Sequence, residues 1–238
     1  MPKINGKYLD ISDTKPYFKK VFTSKFGSLI DLDPYNKRGD MVLQIFKVVP
    51  KDEFDPFYKW RGDSAEEYVM INLYNSYPDL KWYGAMENLK NNYDMFEENK
   101  DFGGVLDFTY TKKISKLPCS LEIKSKNIKN YEKILKNGPD KVHIAQASLG
   151  AYLAKMNDYD ILYVFFTDEQ EQRIRQAKES IPFFDGELKT LSFHSTIDTQ
   201  LLNEQMFDAI EYCKWCYERK LVPLKDISEE TLKKLNLL

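Results

Sequence analysis

Gly103-Gly104-Val105-Leu106-Asp107-Phe108-Thr109-Tyr110-Thr111, followed after Leu117-Pro118 by Cys119-Ser120-Leu121-Glu122-Ile123-Lys124-Ser125, is the stretch that decides the fold. The first run is rich in β-branched and aromatic residues, the second alternates apolar with polar residues, and both are bounded by turn residues, so they read as an antiparallel strand pair. Side chains alternate along a strand, so Glu122 and Lys124 share one face while Ile123 points into the core, and the partner strand can bring Asp107 beside them. Two carboxylates that close repel and raise each other's pKa unless a cation lies between them, and hard oxygen donors suit Mg²⁺ or Mn²⁺. Lys124 then lies where it can orient or help deprotonate an attacking water, a requirement of phosphodiester hydrolysis. The plain alternative is a solvent-facing strand pair with a Glu/Lys ladder. The flanking glycines and a buried strand further on favour the centre of a sheet instead.

That later strand is the apolar run Ile161-Leu162-Tyr163-Val164-Phe165-Phe166, the pattern of a strand covered on both faces. Between the two lies a helix after Gly138-Pro139, with Ile144, Ala147, Ala151 and Ala154 as a small-residue face. A strand at 188–195 and an amphipathic helix at 198–219 follow. Upstream, the spacing of Tyr17, Val21, Phe22, Phe26 and Leu29 predicts a helix over 14–30; residues 31–40 form a break. A second helix is predicted over 41–48, and a third starting after Arg61-Gly62-Asp63-Ser64 and running to Leu73. Residues 77–100 receive no firm assignment. The expected architecture is an α/β sandwich around a mixed sheet, a single domain over 1–238 with its core at about 20–170 and the 188–219 strand and helix packed on it.

With 238 residues, 42% of them apolar, the chain can bury a core without staples, and disorder is excluded. No long uncharged apolar run suggests a membrane span, and the start MPKINGKYLDISD, without an apolar leader, predicts an intracellular, cytoplasmic protein. Three cysteines make no paired framework. The net charge of −2 conceals an asymmetry. Residues 110–141 carry nine lysines against three acids, +6, and residues 63–101 carry the reverse, −6. A lysine-rich segment beside the strand pair can track phosphates; the alternative is an ordinary solvated face. Lys126 and Lys129 are the first candidates for phosphate contact, and Ser24, Lys25, Arg38 and Arg61 are candidates for gripping a terminal phosphate.

In order along the chain, several segments resemble the PD-(D/E)XK nucleases, and within them the lambda-exonuclease and YqaJ-like viral recombinase group. Leu32, Pro34 and Tyr35 carry its L-x-P-Y turn; Gly62 and Glu66 match its G-x-x-x-E helix; GGVLDF places the metal Asp at Asp107; LEIKSKN places E-x-K at Glu122 and Lys124; and Gln146 matches its motif Gln. The chain departs from the pattern at Leu106, where the family usually has Pro, and at Phe22-Thr23-Ser24-Lys25. The resemblance implies a restriction-endonuclease-like core. It also implies that Asp107, Glu122 and the Ile123 carbonyl ligate Mg²⁺, for which Mn²⁺ can substitute. Glu66 would assist, in preference to Glu67, and Gln146 would orient Lys124 or the water. The implied activity is a 5′-to-3′ DNA exonuclease of viral recombination, acting on double-stranded ends, with a trimeric homo-oligomer and a single-strand annealing partner. Alternatives are a structure-specific or nicking endonuclease on the same core, or a catalytically silent DNA-binding subunit.

Other chemistries have less material. Cys213 and Cys216 share a helical stripe with Leu202, Met206 and Ile210 and read as core. A zinc site using His143 or His194 has no spacing signature. No phosphate-cradling Gly-rich motif is present.

Overall fold

A computed structural model describes residues 1–50, 55–84, 94–184 and 186–238. They pack as two compact units, Met1–Glu53 with Glu97–Gly103 and Asp198–Leu238, and Phe54–Phe96 with Gly104–Ile197.

The first unit contains a three-stranded sheet of β1 (Lys3–Asn5), β2 (Tyr8–Asp10) and β10 (Leu221–Pro223), with β2 in the middle, and a parallel pair of β3 (Val21–Phe22) and β5 (Phe102–Gly103). Helices α1 (Thr23–Leu29), α2 (Arg38–Ile45), α7 (Thr199–Arg219) and α8 (Glu229–Lys234) complete it. The helix expected over 14–30 begins only at Thr23, because Pro16 interrupts it and Lys15 before it takes a left-handed φ of 50°. Helix α2 starts at Arg38, three residues early, where Gly39 allows a close approach: a Cβ there would lie 2.4 Å from the Asp226 carbonyl oxygen. Cys213 and Cys216 are fully buried free thiols, as their stripe predicts.

The second unit is built on a five-stranded sheet ordered β4 (Lys81–Trp82), β6 (Phe108–Thr111), β7 (Pro118–Asn127), β8 (Asp158–Phe166) and β9 (Lys189–Thr196). The sheet is mixed: β7 and β8 run parallel, and every other pair is antiparallel. The parallel step requires a crossover, supplied by α4 (Tyr131–Asn137) and α5 (Lys141–Leu153). Both faces are covered. One buries Leu121, Ile123, Val164 and Phe166 with Ala65 and Val69 of α3 (Pro56–Leu73), and the other buries Ile161, Tyr163 and Phe165 with Ala147 and Ala151 of α5. The continuous apolar run of β8 is therefore required on both sides.

Helix α3 begins eight or nine residues before the predicted start. Asp55 caps it by accepting from Phe57 N at 3.0 Å, and Pro56 occupies the first helical position, where its missing N–H costs nothing. Arg61 to Ser64 are consequently mid-helix. After β8, Thr167 and Gln170 form a capping box that starts α6 (Asp168–Ala177), an element not assigned from the sequence. Part of the unassigned 77–100 stretch, residues 85–93, lies outside the described residues.

Candidate active site

The site is assembled where β6 runs out before β7 does. Their ladder ends at Phe108 opposite Leu121, so Asp107 sits one residue ahead of its strand instead of within it. Its carboxylate replaces the missing partner: Ile123 N donates to Asp107 Oδ2 at 2.7 Å. In a strand the N–H and C=O of one residue point toward the same neighbour, so the Ile123 carbonyl also faces the side where β6 has ended. The Ile123 side chain is buried in the core behind it.

On the opposite face of β7, Lys124 Nζ donates to Glu122 Oε1 at 2.5 Å and to Gln146 Oε1 at 3.0 Å, and Gln146 Nε2 donates to the same Glu122 oxygen at 2.7 Å. The three residues form a closed triangle, with Gln146 supplied from α5. Glu66 comes from α3 and is held from a direction the sequence did not reveal: Trp82 Nε1 donates to Glu66 Oε2 at 2.6 Å. Glu67 instead accepts from Ser180 Oγ at 2.9 Å, so of the two glutamates it is Glu66 whose charge reaches the site. The structure thus brings together Glu66, Asp107, Glu122, Lys124 and Gln146.

The electrostatics are unbalanced. Burial, with Glu122 and Glu66 adjacent, holds the Asp107 carboxyl well above its ordinary value, against the opposing effects of Lys124 and the Ile123 N–H. Burial also pushes Glu66 up to about 7, opposed by the Trp82 hydrogen bond and reinforced by Asp63 and Glu122. For Lys124, burial alone would lower the pKa, but Glu122 and Asp107 outweigh it and the ammonium is held above its usual range. Three carboxylates thus share one ammonium. Each carboxylate uses one oxygen in the bonds described, leaving Asp107 Oδ1, Glu122 Oε2 and Glu66 Oε1 without a donor among the described residues. An oxygen-rich cluster short of positive charge fits a hard divalent cation.

No protein-family model and no curated protein sequence matches the chain. Its structure is similar to an alkaline exonuclease from Laribacter hongkongensis, with a TM-score of 0.56 and 13% identity over 91% of this chain and 93% of that one. The same exonuclease in complex with dAMP gives a TM-score of 0.53 with the same identity and coverage. A phage-related exonuclease from Haemophilus somnus 129PT gives 0.51, at 17% identity over 85% of this chain and 96% of its own. The chain shares the fold of these exonuclease structures. The mixed central sheet flanked by helices, expected from the strand pair and the buried run, is the core of that fold.

Within this fold most of the candidate phosphate contacts already have protein partners. Arg61 pairs with Glu171 at 2.6 Å and also donates to the Ser125 carbonyl and hydroxyl, joining α3, β7 and α6. Lys126 lies 3.4 Å from Asp140, and the exposed Lys129 lies 2.6 Å from Asp168. In the first unit, Arg38 donates to Asp208 at 2.8 Å and stacks 3.8 Å above the Tyr212 ring. Ser24 is exposed and Lys25 half-buried, both on α1. His143 bonds the Tyr163 hydroxyl at 2.7 Å, and burial first, then Lys124 and Lys126, push its pKa down to about 3.

A second cluster, Cys119, Asp160 and His194, places one ligand atom from each residue within 4.8 Å of the others. It is satisfied internally. His194 bonds Asp160 at 2.7 Å, Tyr110 donates to the other Asp160 oxygen, and Lys112 Nζ lies 2.9 Å from His194 Nε2, where its ammonium opposes a metal ion. No helix among the described residues is long and apolar enough to cross a membrane.

Proposed function

We propose that the protein is a divalent-metal-dependent DNA nuclease, an exonuclease that degrades duplex DNA from its ends in the 5′-to-3′ direction. The observation that carries this reading is the convergence of Asp107, Glu122, Lys124 and Gln146, hydrogen-bonded in one site, with the Glu66 charge beside them. Similarity to exonuclease structures over nine-tenths of the chain supports it.

Asp107, Glu122 and the Ile123 carbonyl would hold Mg²⁺ or Mn²⁺, with Glu66 directly or through water. Such an ion supplies Lewis acidity toward the scissile phosphate and the attacking water. Lys124, kept charged by its carboxylate neighbours, has three N–H donors, of which two are directed to Glu122 and Gln146. The third can orient the water or a phosphate oxygen, an electrostatic role that a fixed ammonium fills without reorganisation. Gln146 fixes the ammonium through its carbonyl and the Glu122 carboxylate through its amide. Lys126, Lys129, Arg61, Arg38, Ser24 and Lys25 would contact the DNA backbone, the paired ones exchanging an acidic partner for phosphate. A trimer and an annealing partner belong to the same proposal.

The test compares linear with covalently closed circular duplex in Mg²⁺. An exonuclease degrades the linear form and spares the circle. Cleavage of the circle at a similar rate assigns the site to an endonuclease, and binding without cleavage of either assigns it to a DNA-binding subunit.

A further inference from the structure

Three consecutive residues at the edge of the sheet converge on the proposed metal site, although none of them carries a carboxylate. Trp82 ends the two-residue strand β4 and lies opposite Phe108, the residue after Asp107. Its indole is parallel to the Phe108 ring, tilted by only 8° at a centroid distance of 5.9 Å. Thus stacked, the ring aims its single N–H at Glu66 Oε2, 2.6 Å away, and among the described residues it is the only donor to that carboxylate. Tyr83 N then donates to the Asp107 carbonyl at 3.0 Å, and the Tyr83 hydroxyl pairs with Thr109 Oγ1 at 3.1 Å. Gly84 leaves the space the carboxylate occupies: a Cβ at that position would lie 2.5 Å from Glu66 Oε2 and 2.8 Å from Trp82 Nε1.

The physical consequence concerns Glu66 most. Asp107 and Glu122 are fixed by the sheet itself, whereas Glu66 projects from α3 on a long side chain whose rotamer freedom must be restrained for one oxygen to face the site. An indole N–H can only donate, so it always engages an oxygen of Glu66 and leaves the other oxygen to turn elsewhere. A partner of this kind fixes ligand orientation, and loss of such partners typically costs 10–100-fold in metal affinity.

We infer that Trp82 is a positioning residue for the metal site: stacked on Phe108, its indole N–H sets the orientation in which Glu66 faces the ion, with Gly84 keeping that orientation open. The inference rests on the proposed metal role of Asp107, Glu122 and Glu66.

The experiment measures Mn²⁺ binding to the full-length protein by calorimetry, for wild type and for Asp107→Ala, Trp82→Phe, Glu66→Gln and the Trp82→Phe/Glu66→Gln double variant. Phenylalanine keeps the stacked ring and removes the N–H. The expected result is loss of Mn²⁺ binding in Asp107→Ala and an approximately tenfold weakening in Trp82→Phe. Trp82→Phe should cause no further weakening once Glu66 is already glutamine. Gly84→Ala should also weaken binding, since its Cβ meets both the Glu66 carboxylate and the indole nitrogen and disturbs the bond between them. Wild-type affinity in Trp82→Phe, with Asp107→Ala inactive in binding, overturns the role of Trp82 alone. Equal weakening by Trp82→Phe in both Glu66 backgrounds also overturns it, because the indole would then act on the fold and not through Glu66. Unchanged Mn²⁺ binding in Asp107→Ala overturns the site itself.

Discussion

Replacing Lys124 with methionine keeps the length and packing of the side chain and removes the only ammonium in contact with the proposed metal site among the described residues. Glu122, 5% exposed, would lose a 2.5 Å ion pair and remain beside Asp107 with Gln146 as its one remaining donor among the described residues. Breaking a buried pair by removing one partner costs about 3–5 kcal/mol, because the surviving charge is left uncompensated. A loss of about 4 kcal/mol lowers the folding equilibrium constant by about three powers of ten. The assay is urea unfolding in EDTA at neutral pH, comparing wild type, Lys124→Met and Lys124→Met/Glu122→Met. The double variant, with both charges gone, should recover most of the loss, and Mg²⁺ should stabilise the single variant more than the double. Lys129→Met, at an exposed pair, serves as the control and should leave stability unchanged. If Lys124→Met unfolds like that control, or if the double variant is weaker than the single, the charge balance assigned to this site is refuted.

Other consequences are as direct. Gln146→Leu should lower kcat for DNA degradation by about 10–100-fold with little change in KM, since the side chain touches Lys124 and Glu122 and no element of a substrate grip; steady-state kinetics check this. His143 has a folded pKa of about 3, below the ordinary 6.5, so the folded state resists a proton the unfolded state accepts. Its contribution to stability is complete above pH 6.5 and is lost as pH falls toward 3; His143→Phe should flatten that acid limb in urea midpoints taken between pH 4 and 7. Lys129→Ala should weaken binding to all duplex sequences alike and reduce the slope of log K against log salt by about 0.9, read from fluorescence anisotropy at several salt concentrations.

The parts of the fold legible in the sequence are those with strong local periodicity. The alternation in Glu122-Ile123-Lys124 placed two chemical groups on one face and a core residue on the other, and the unbroken β8 run signalled cover on both sides. Gln146 was legible through its place in the motif. What local pattern could not show is contact across distance. Trp82 lies in a strand of two residues, too short for a period, and nothing in the spacing links position 82 to position 66. The Asp55-Pro56 start of α3 was available as a signal, but the residues around Arg61-Gly62 resemble a break and drew the boundary downstream. The charge asymmetry is likewise reduced in space: Lys112 and Lys129 of the basic segment pair with Asp158 and Asp168, which lie outside it. A charge count along the chain therefore overstates the bare positive surface beside β7.

Asp107, Glu122 and Lys124 are proposed to form a metal-dependent nuclease site. The most direct test is the degradation of end-labelled linear duplex DNA as Mg²⁺ is titrated, by wild type and by Asp107→Ala. Wild type is expected to degrade the duplex in a Mg²⁺-dependent manner abolished by EDTA, and Asp107→Ala is expected to degrade none at any Mg²⁺ concentration. Degradation that persists in EDTA, or an Asp107→Ala curve that overlies the wild-type curve, would contradict this assignment.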